Sequence, residues 1–314
     1  MSTTRRQGFT LIELSIVLVI IGLIVGGVLV GQSLIAAAGV RATISQIEKY
    51  NTAVNTFREK YGGLPGDLNA SLATQFGFAA RGVFAGEGDG NGVIEGVAAN
   101  SAGQNWGTLE NIGETTMFWV DFSQAKLIDG SFSSASSATT LSNYSPDAVF
   151  PQAKMGGGNY IYVWSGGWSM GGSPSASDGI NYFGIIAPSA STNFTFGGGA
   201  TYWSPGLTVQ QAYGIDKKID DGLPQSGNVM ATYAYNGGGF WAAGNGGGLN
   251  GNYGVSTWPA GGPSTASTAG SAITCYDNSA AASGTPGVNG TAMHYSLEMS
   301  GGTNINCALS FRFQ

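Results

Sequence analysis

The sequence predicts an α+β fold in which one long N-terminal helix lies on an antiparallel β-sheet that continues into an enlarged, glycine-rich C-terminal β region. Three observations carry that expectation. The first sixty or so residues hold a helical period that is first interrupted at Gly62-Gly63 and Pro65-Gly66. Beyond them, short runs of alternating aromatic and β-branched residues are separated by Gly, Ser, Asn and Thr, the pattern of strands and turns. Finally, a chain of 314 residues with 42% hydrophobic side chains can bury a sizeable core in one large domain or two small ones.

The helix comes first. From Leu14 to Val40 no charged residue occurs, a stretch longer than the roughly 20 residues that span a bilayer. Arg5 and Arg6 precede it, which keeps the start cytoplasmic and exports the bulk of the chain. A cleavable secretory peptide, cut near Ala36-Ala37-Ala38, is the competing reading. It fits poorly, because the core of such peptides is only about 7–15 residues long. Glu13 sits at the mouth of this run, where an unpaired carboxylate costs a few kcal/mol even on lenient insertion scales.

After the run, Val40, Ile44, Ile47, Tyr50, Val54, Phe57 and Tyr61 recur every three or four residues and form one apolar stripe. A helix over 9–61 would reach about 80 Å at 1.5 Å per residue. Its first half is apolar all round and needs lipid or a bundle of like helices. Its second half has a wet face and packs on a domain. Gly22/Gly26 and Gly27/Gly31 are small-residue pairs that permit close helix approach.

The remaining elements follow from local pattern. Residues 110–127 read as an amphipathic helix with Glu110 and Glu114 at its start, Lys126 near its end, and Phe118, Phe122 and Ala125 facing the core. Strands are expected at 159–165, 181–186, 229–235, 292–299 and 307–313. Glycine is dense between Met155 and Ala260, but Trp164, Trp168, Trp203, Trp241 and Trp258 lie in the same region, so a β-rich domain with long turns is expected rather than disorder.

The stretch GFTLIE, Gly8 to Glu13, follows Arg5-Arg6 and abuts the apolar helix. It resembles the processing site of type IV prepilins and type II secretion pseudopilins. The resemblance implies a pilin-like fold and cleavage between Gly8 and Phe9 by a membrane prepilin peptidase, which also methylates the new Phe9 amine. It implies that Glu13 meets the N-terminal amine of a neighbouring subunit. The chain then divides into a leader (1–8), an N-terminal helix (9–61, of which 9–40 is the membrane and filament-core part) and an exported globular domain (62–314). Implied partners are other pilin or pseudopilin subunits, the peptidase and an inner-membrane assembly platform. The implied location is the bacterial inner membrane, single-pass with a cytoplasmic N-terminus, and then a filament in the periplasm or outside the cell. FREKYGGLPGDLNAS, FWVDFSQAKLIDGSF and IDKKIDDGLPQSG look similar to segments of a subgroup of large pilin-like proteins. Many pilins carry a proline midway through the apolar helix, and none occurs here.

Two acidic loops hold the candidate metal ligands. EGDGNGVIE offers oxygens at Glu87, Asp89, Asn91 and Glu95 around Gly92, part of a calcium loop, although the bidentate glutamate expected later is Ala98. A solvated turn explains the same composition. The second loop holds Asp216, Asp220 and Asp221, read as weaker calcium ligands or as turn caps before Gly222 and Pro224. No cofactor is otherwise implied. Cys275 and Cys307, an even pair in an exported domain, suggest one disulfide closing about 30 residues and worth about 3–4 kcal/mol. Two buried free thiols are the alternative. The single histidine, His294, reads as an ordinary strand residue.

The net charge of −6 with few basic residues argues against nucleic acid as a main partner. No H-E-x-x-H or phosphate-binding loop occurs, and a single histidine makes a Ser-His-Asp triad hard to place, so the chain reads as an enzyme's substrate rather than an enzyme. The leading expectation is a structural filament subunit. Alternatives are a minor or tip subunit acting as a surface adhesin through its aromatic, glycine-rich loops, and a membrane-anchored enzyme.

Overall fold

The computed structural model describes residues 10–81, 88–94, 96–97, 105–106, 113–133, 145–165, 180–188, 203–224, 226–235, 238–241, 275–277 and 294–313, and all structural statements concern these. Helix α1 (Leu11–Tyr61, 51 residues) carries the N-terminal third. Thr10 and Glu13 cap its start reciprocally, and Gly62, at φ 81°, ends it in the left-handed region that a Cβ disfavours. Helix α2 (Ala70–Phe76) follows, capped by the Asn69 side chain, which accepts from Leu72 N at 2.9 Å. Strands β1 (Gly96–Val97) and β2 (Asn105–Trp106) form a short antiparallel ribbon.

Helix α3 (Glu114–Gln124) is shorter than the periodicity suggests. At its end Lys126 adopts φ 56°, and Leu127 N donates back to Phe122 O at 3.2 Å. This Schellman closure turns the chain away before Leu127. Residues 110–112 of the expected helix lie outside the described set. Phe118 and Phe122 face the core as expected, fully buried, and Ala125 is half-buried.

Strands β3 (Tyr160–Ser165), β4 (Asn181–Pro188), β5 (Trp203–Ser204) and β6 (Leu207–Thr208) precede helix α4 (Val209–Ile219). They are followed by β7 (Val229–Tyr235), β8 (Gly238–Trp241), β9 (Tyr276–Asp277), β10 (His294–Tyr295) and β11 (Ile305–Arg312). The main sheet is antiparallel and seven-stranded, in the order β3-β4-β11-β7-β8, with β5 on β4 and β6 on β11. The C-terminal strand is thus inserted at the centre, which ties the end of the chain into the core. Of the strand expected over 292–299, residues 292–293 lie outside the described set and the described part is strand only at His294–Tyr295. This strand pairs with β9, and 296–299 turns away, with Met299 N donating to Ser296 O.

One face of this sheet presents Ile161, Val163, Phe183, Ile185, Leu309 and Phe311, all buried. Helices α1 and α3 pack there through rings. Tyr50 of α1 meets Trp119 of α3 edge-on at 5.3 Å and lies 5.9 Å from Phe183 of β4, while Phe57 approaches Phe122 at 6.1 Å. Buried aromatic rings of this size dominate core energetics. The other face carries Tyr162, Trp164 and Tyr182, also buried, with Trp164 stacked on Tyr182 at 5.2 Å and donating to Ser310 Oγ at 3.1 Å. These aromatics of the β region serve the sheet itself. Trp168 and Trp258 lie outside the described residues.

Candidate functional site

The outstanding feature of the molecule is where α1 stops being covered. From Gly39 onward it is a docked helix, with Ile44, Ile47, Tyr50, Val54 and Phe57 buried as the apolar stripe required. A polar clasp fixes its position. The Gln46 amide donates to Gln152 O at 2.9 Å and to Tyr50 Oη at 2.9 Å, and accepts from Lys154 N at 2.9 Å. Thr43 Oγ1 accepts from Met155 N at 2.8 Å. Gly39 allows this close approach, since a Cβ there would sit 3.0 Å from Met155 Cα. The clasp was missed in the sequence, although Thr43, Gln46 and Tyr50 share one helix face by their spacing.

Before Gly39 the same helix runs away from the domain. Leu11, Leu23 and Ile35 are 87%, 76% and 75% exposed, and nothing lies within 4 Å of the Cβ positions of Gly22, Gly26, Gly27 or Gly31. By length and composition this half can cross a membrane. Left in water, so large a contiguous apolar surface is unfavourable at about 25 cal/mol per Å², so it calls for lipid or protein around it. At its tip Glu13 accepts from Thr10 N at 2.9 Å and from Thr10 Oγ1 at 2.8 Å, while Glu13 N donates to Thr10 Oγ1 at 3.3 Å. Glu13 thus closes the first turn, satisfying amides that would otherwise lack partners. Gly8 and Phe9 lie outside the described residues.

The first acidic loop is assembled differently from the sequence expectation. Glu87 and Glu95 lie outside the described residues. Asp89 is joined instead by Asp67 and Glu114, with carboxylate oxygens of the three within 4.8 Å of one another. Asp67 accepts from Gly90 N at 2.9 Å and Gly92 N at 2.8 Å, and Glu114 accepts from Gly88 N at 2.7 Å. Asn91 Oδ1 accepts from Val93 N at 2.7 Å, and the Asp89 carboxylate accepts from Asn91 N and Nδ2. Burial pushes the Asp67 carboxyl up to about 6, against the pull of the Gly92 and Gly90 amides, and Asp89 adds to the rise. Asp67, Asp89 and Glu114 are the described residues that could hold a cation here. The hydrogen bonds of Asp67 and Glu114 account for them as the ties that fasten this loop to the turn after α1 and to α3, while Asp89 closes a turn on Asn91. Beside them Arg81 pairs with buried Asp121, which also accepts from Gly66 N at 2.7 Å. No periodicity marks Asp67 or Glu114 as members of one cluster, because folding alone brings the turn and α3 together.

The second acidic loop gathers as the sequence suggests, with oxygens of Asp216, Asp220 and Asp221 within 4.8 Å. Each caps a local turn. Asp216 accepts from Tyr295 Oη at 2.6 Å and Gly222 N at 3.1 Å. Asp220 accepts from Asn228 N and from Val229 N, and Asp221 accepts from Leu223 N at 2.8 Å and Ser226 Oγ at 2.7 Å. Burial pushes the Asp216 carboxyl up to about 7, opposed by the Tyr295 hydroxyl and the Gly222 amide and reinforced by Asp221 and Asp220. Cys275 and Cys307 are joined as a disulfide that ties β9 to β11.

No curated protein and no solved structure matches the chain. Residues 3–29 match the family model of the prokaryotic N-terminal methylation motif. The match covers Gly8, Phe9 and Glu13 and runs into the uncovered apolar half of α1. The segment that protrudes bare from the folded domain therefore overlaps this match, which is similar to the prepilin signal of type IV pilins and pseudopilins.

Proposed function

We propose that this chain is a structural subunit of a type IV pilus or type II secretion pseudopilus. A prepilin peptidase removes residues 1–8 on the cytoplasmic side and methylates the Phe9 amine. The apolar half of α1 holds the subunit in the bacterial inner membrane with its N-terminus cytoplasmic and its globular domain exported. The assembly platform then transfers it into a filament. The observation that supports this most is the division of α1: one helix, docked on its own domain from Gly39 onward and bare before it. Such a helix exchanges lipid for a bundle of like helices without refolding the domain it carries.

Glu13 supplies the direction of that exchange. Two opposite charges attract strongly where the dielectric is low, whereas either alone is penalised. Cleavage creates a positive amine on each subunit, and the Glu13 carboxylate of one subunit pairs with the amine of the next. An anchored enzyme gains nothing from this acid.

The test compares Glu13→Val with Thr10→Ala in the native host. Both remove the hydrogen bond from Thr10 Oγ1 to the Glu13 carboxylate, but only Glu13→Val removes the charge. Glu13→Val is expected to enter the membrane and be excluded from filaments, while Thr10→Ala assembles. Equal assembly of the two variants would refute charge pairing as the mechanism.

A further inference from the structure

A third cluster lies on the β9–β10 pair, away from the assembly helix, and is joined to the second acidic loop through the Tyr295 hydroxyl on Asp216. From Gly222 to the C-terminus the only Asp, Glu, Lys, Arg or His residues are Asp277, His294, Glu298 and Arg312. Three of these four converge on one place. One ligand atom from each of Asp277, His294 and Glu298 lies within 4.8 Å of the others. His294 Nε2 is 3.2 Å from Asp277 Oδ1. That is an ion-pair contact, and because a tetrahedral zinc with bonds of about 2.0–2.1 Å separates its ligands by roughly 3.3 Å, an ion can take the place of the pair with little movement.

The scaffold explains how so sparse a region brings them together. His294 is the register partner of Asp277 across the β9–β10 pair. The turn after β10, closed by Leu297 N on Tyr295 O at 2.7 Å, returns the chain so that Glu298 reaches the same spot. Ser296 Oγ donates to the second oxygen of Asp277, the kind of outer contact that orients a ligating carboxylate. Ser296 N donates to Cys275 O at 3.0 Å, and Cys275 is bonded to Cys307 on the central strand β11. The ligands therefore hang on a covalently braced frame. Asp277 is fully buried while the His294 side chain is 36% exposed, which leaves an entry side. The sequence between the strands, 278–293, contains no Asp, Glu, His or Cys. The ligand set is concentrated at the base of that segment.

We propose that Asp277, His294 and Glu298 form a binding site for a divalent transition-metal ion of the zinc class. Imidazole favours zinc, copper or nickel over calcium, and two carboxylates balance the ion's charge. The ion clamps β9 to β10 and so fixes the base of the 278–293 segment in the exported domain. This site does not depend on the filament reading, and the single histidine of the chain makes it open to a clean test.

The experiment uses the full chain, solubilised in detergent, disulfide intact and stripped with a chelator. Zinc alone is titrated by calorimetry, and cobalt(II) serves as a visible-absorption probe of an N/O tetrahedral site. The expected result is one equivalent of zinc, a rise in Tm on binding, and intense cobalt bands. His294→Ala and Glu298→Gln, both at positions that solvent reaches, should each weaken zinc at least tenfold and abolish the Tm rise. Absence of zinc binding to the wild-type chain, or equal affinity in His294→Ala, would overturn the proposal. Calcium binding there in place of zinc would overturn the assigned class of ion.

Discussion

Gly184 lies opposite Tyr162 across β3 and β4, and the ring of Tyr162 rests where a side chain at 184 would stand. A Cβ on residue 184 would fall 2.1 Å from Tyr162 Cζ and 2.5 Å from its hydroxyl oxygen. Ordinary carbon contacts are about 3.5–4.0 Å, so Gly184→Ala requires the ring to move by more than an ångström within a buried layer. Overpacking by one methyl normally costs about 1–3 kcal/mol, but here the price is set by displacing a whole buried ring, for which about 3–5 kcal/mol applies. Tyr162→Ala alone should cost a similar amount. The double variant should cost no more than Tyr162→Ala, because the new methyl enters the space the ring vacated. The double-mutant cycle therefore predicts a coupling of about 3 kcal/mol in favour of the pair. The assay is urea unfolding of the full chain in detergent, followed by tryptophan fluorescence. Additive losses, or a cost below about 1 kcal/mol for Gly184→Ala, would refute the argument that this glycine exists to seat the ring.

Four other outcomes follow from the same structure. Replacing both Cys275 and Cys307 by Ala frees a span of 32 residues, and the loop-entropy relation puts the loss of stability at about 3.7 kcal/mol, measurable by the same unfolding assay. Asp216 and Asp67 have folded-state pKa values raised to about 7 and about 6. Between about pH 4 and these values the folded state binds more protons than the unfolded one, so stability falls as pH rises through the window. Asp216→Asn should flatten that slope between pH 4 and 7 in a Tm series, and an unchanged slope would remove Asp216 as its source. Gly66→Ala places a Cβ 2.5 Å from Glu114 O at a backbone φ of 84°, which should cost several kcal/mol and loosen the junction of α1 and α3. Calcium chelation should leave Tm unchanged if the loop around Asp89 is held by its own hydrogen bonds, whereas a drop that disappears in Asp89→Ala would place calcium there.

The sequence was most legible where physics is local. A period of 3.6 through Val40, Ile44, Ile47, Tyr50, Val54, Phe57 and Tyr61 sufficed for the docked half of α1, and Gly62 for its end. Alternation placed β3, β4 and β7 within a residue or two. Legibility failed where the answer depends on distant partners. The stretch 292–299 alternates like a strand, yet it has a partner only as long as β9 is, and it leaves the ladder after Tyr295. Lys126 looked like the last turn of α3, but it serves as the left-handed residue that ends it. Asp67 and Asp277 carry no pattern of their own, Glu114 is legible only as an acid at a helix start, and only tertiary approach gathers them with their neighbours. His294, read as an unremarkable strand residue, became notable once the register set it against Asp277.

The most direct measurement is the intact mass of the chain recovered from its native membrane. A prepilin-processed subunit begins at Phe9, lacking Met1 to Gly8 and carrying one added methyl group. A mature chain that still begins at Met1, in a host whose peptidase is active, would contradict the account.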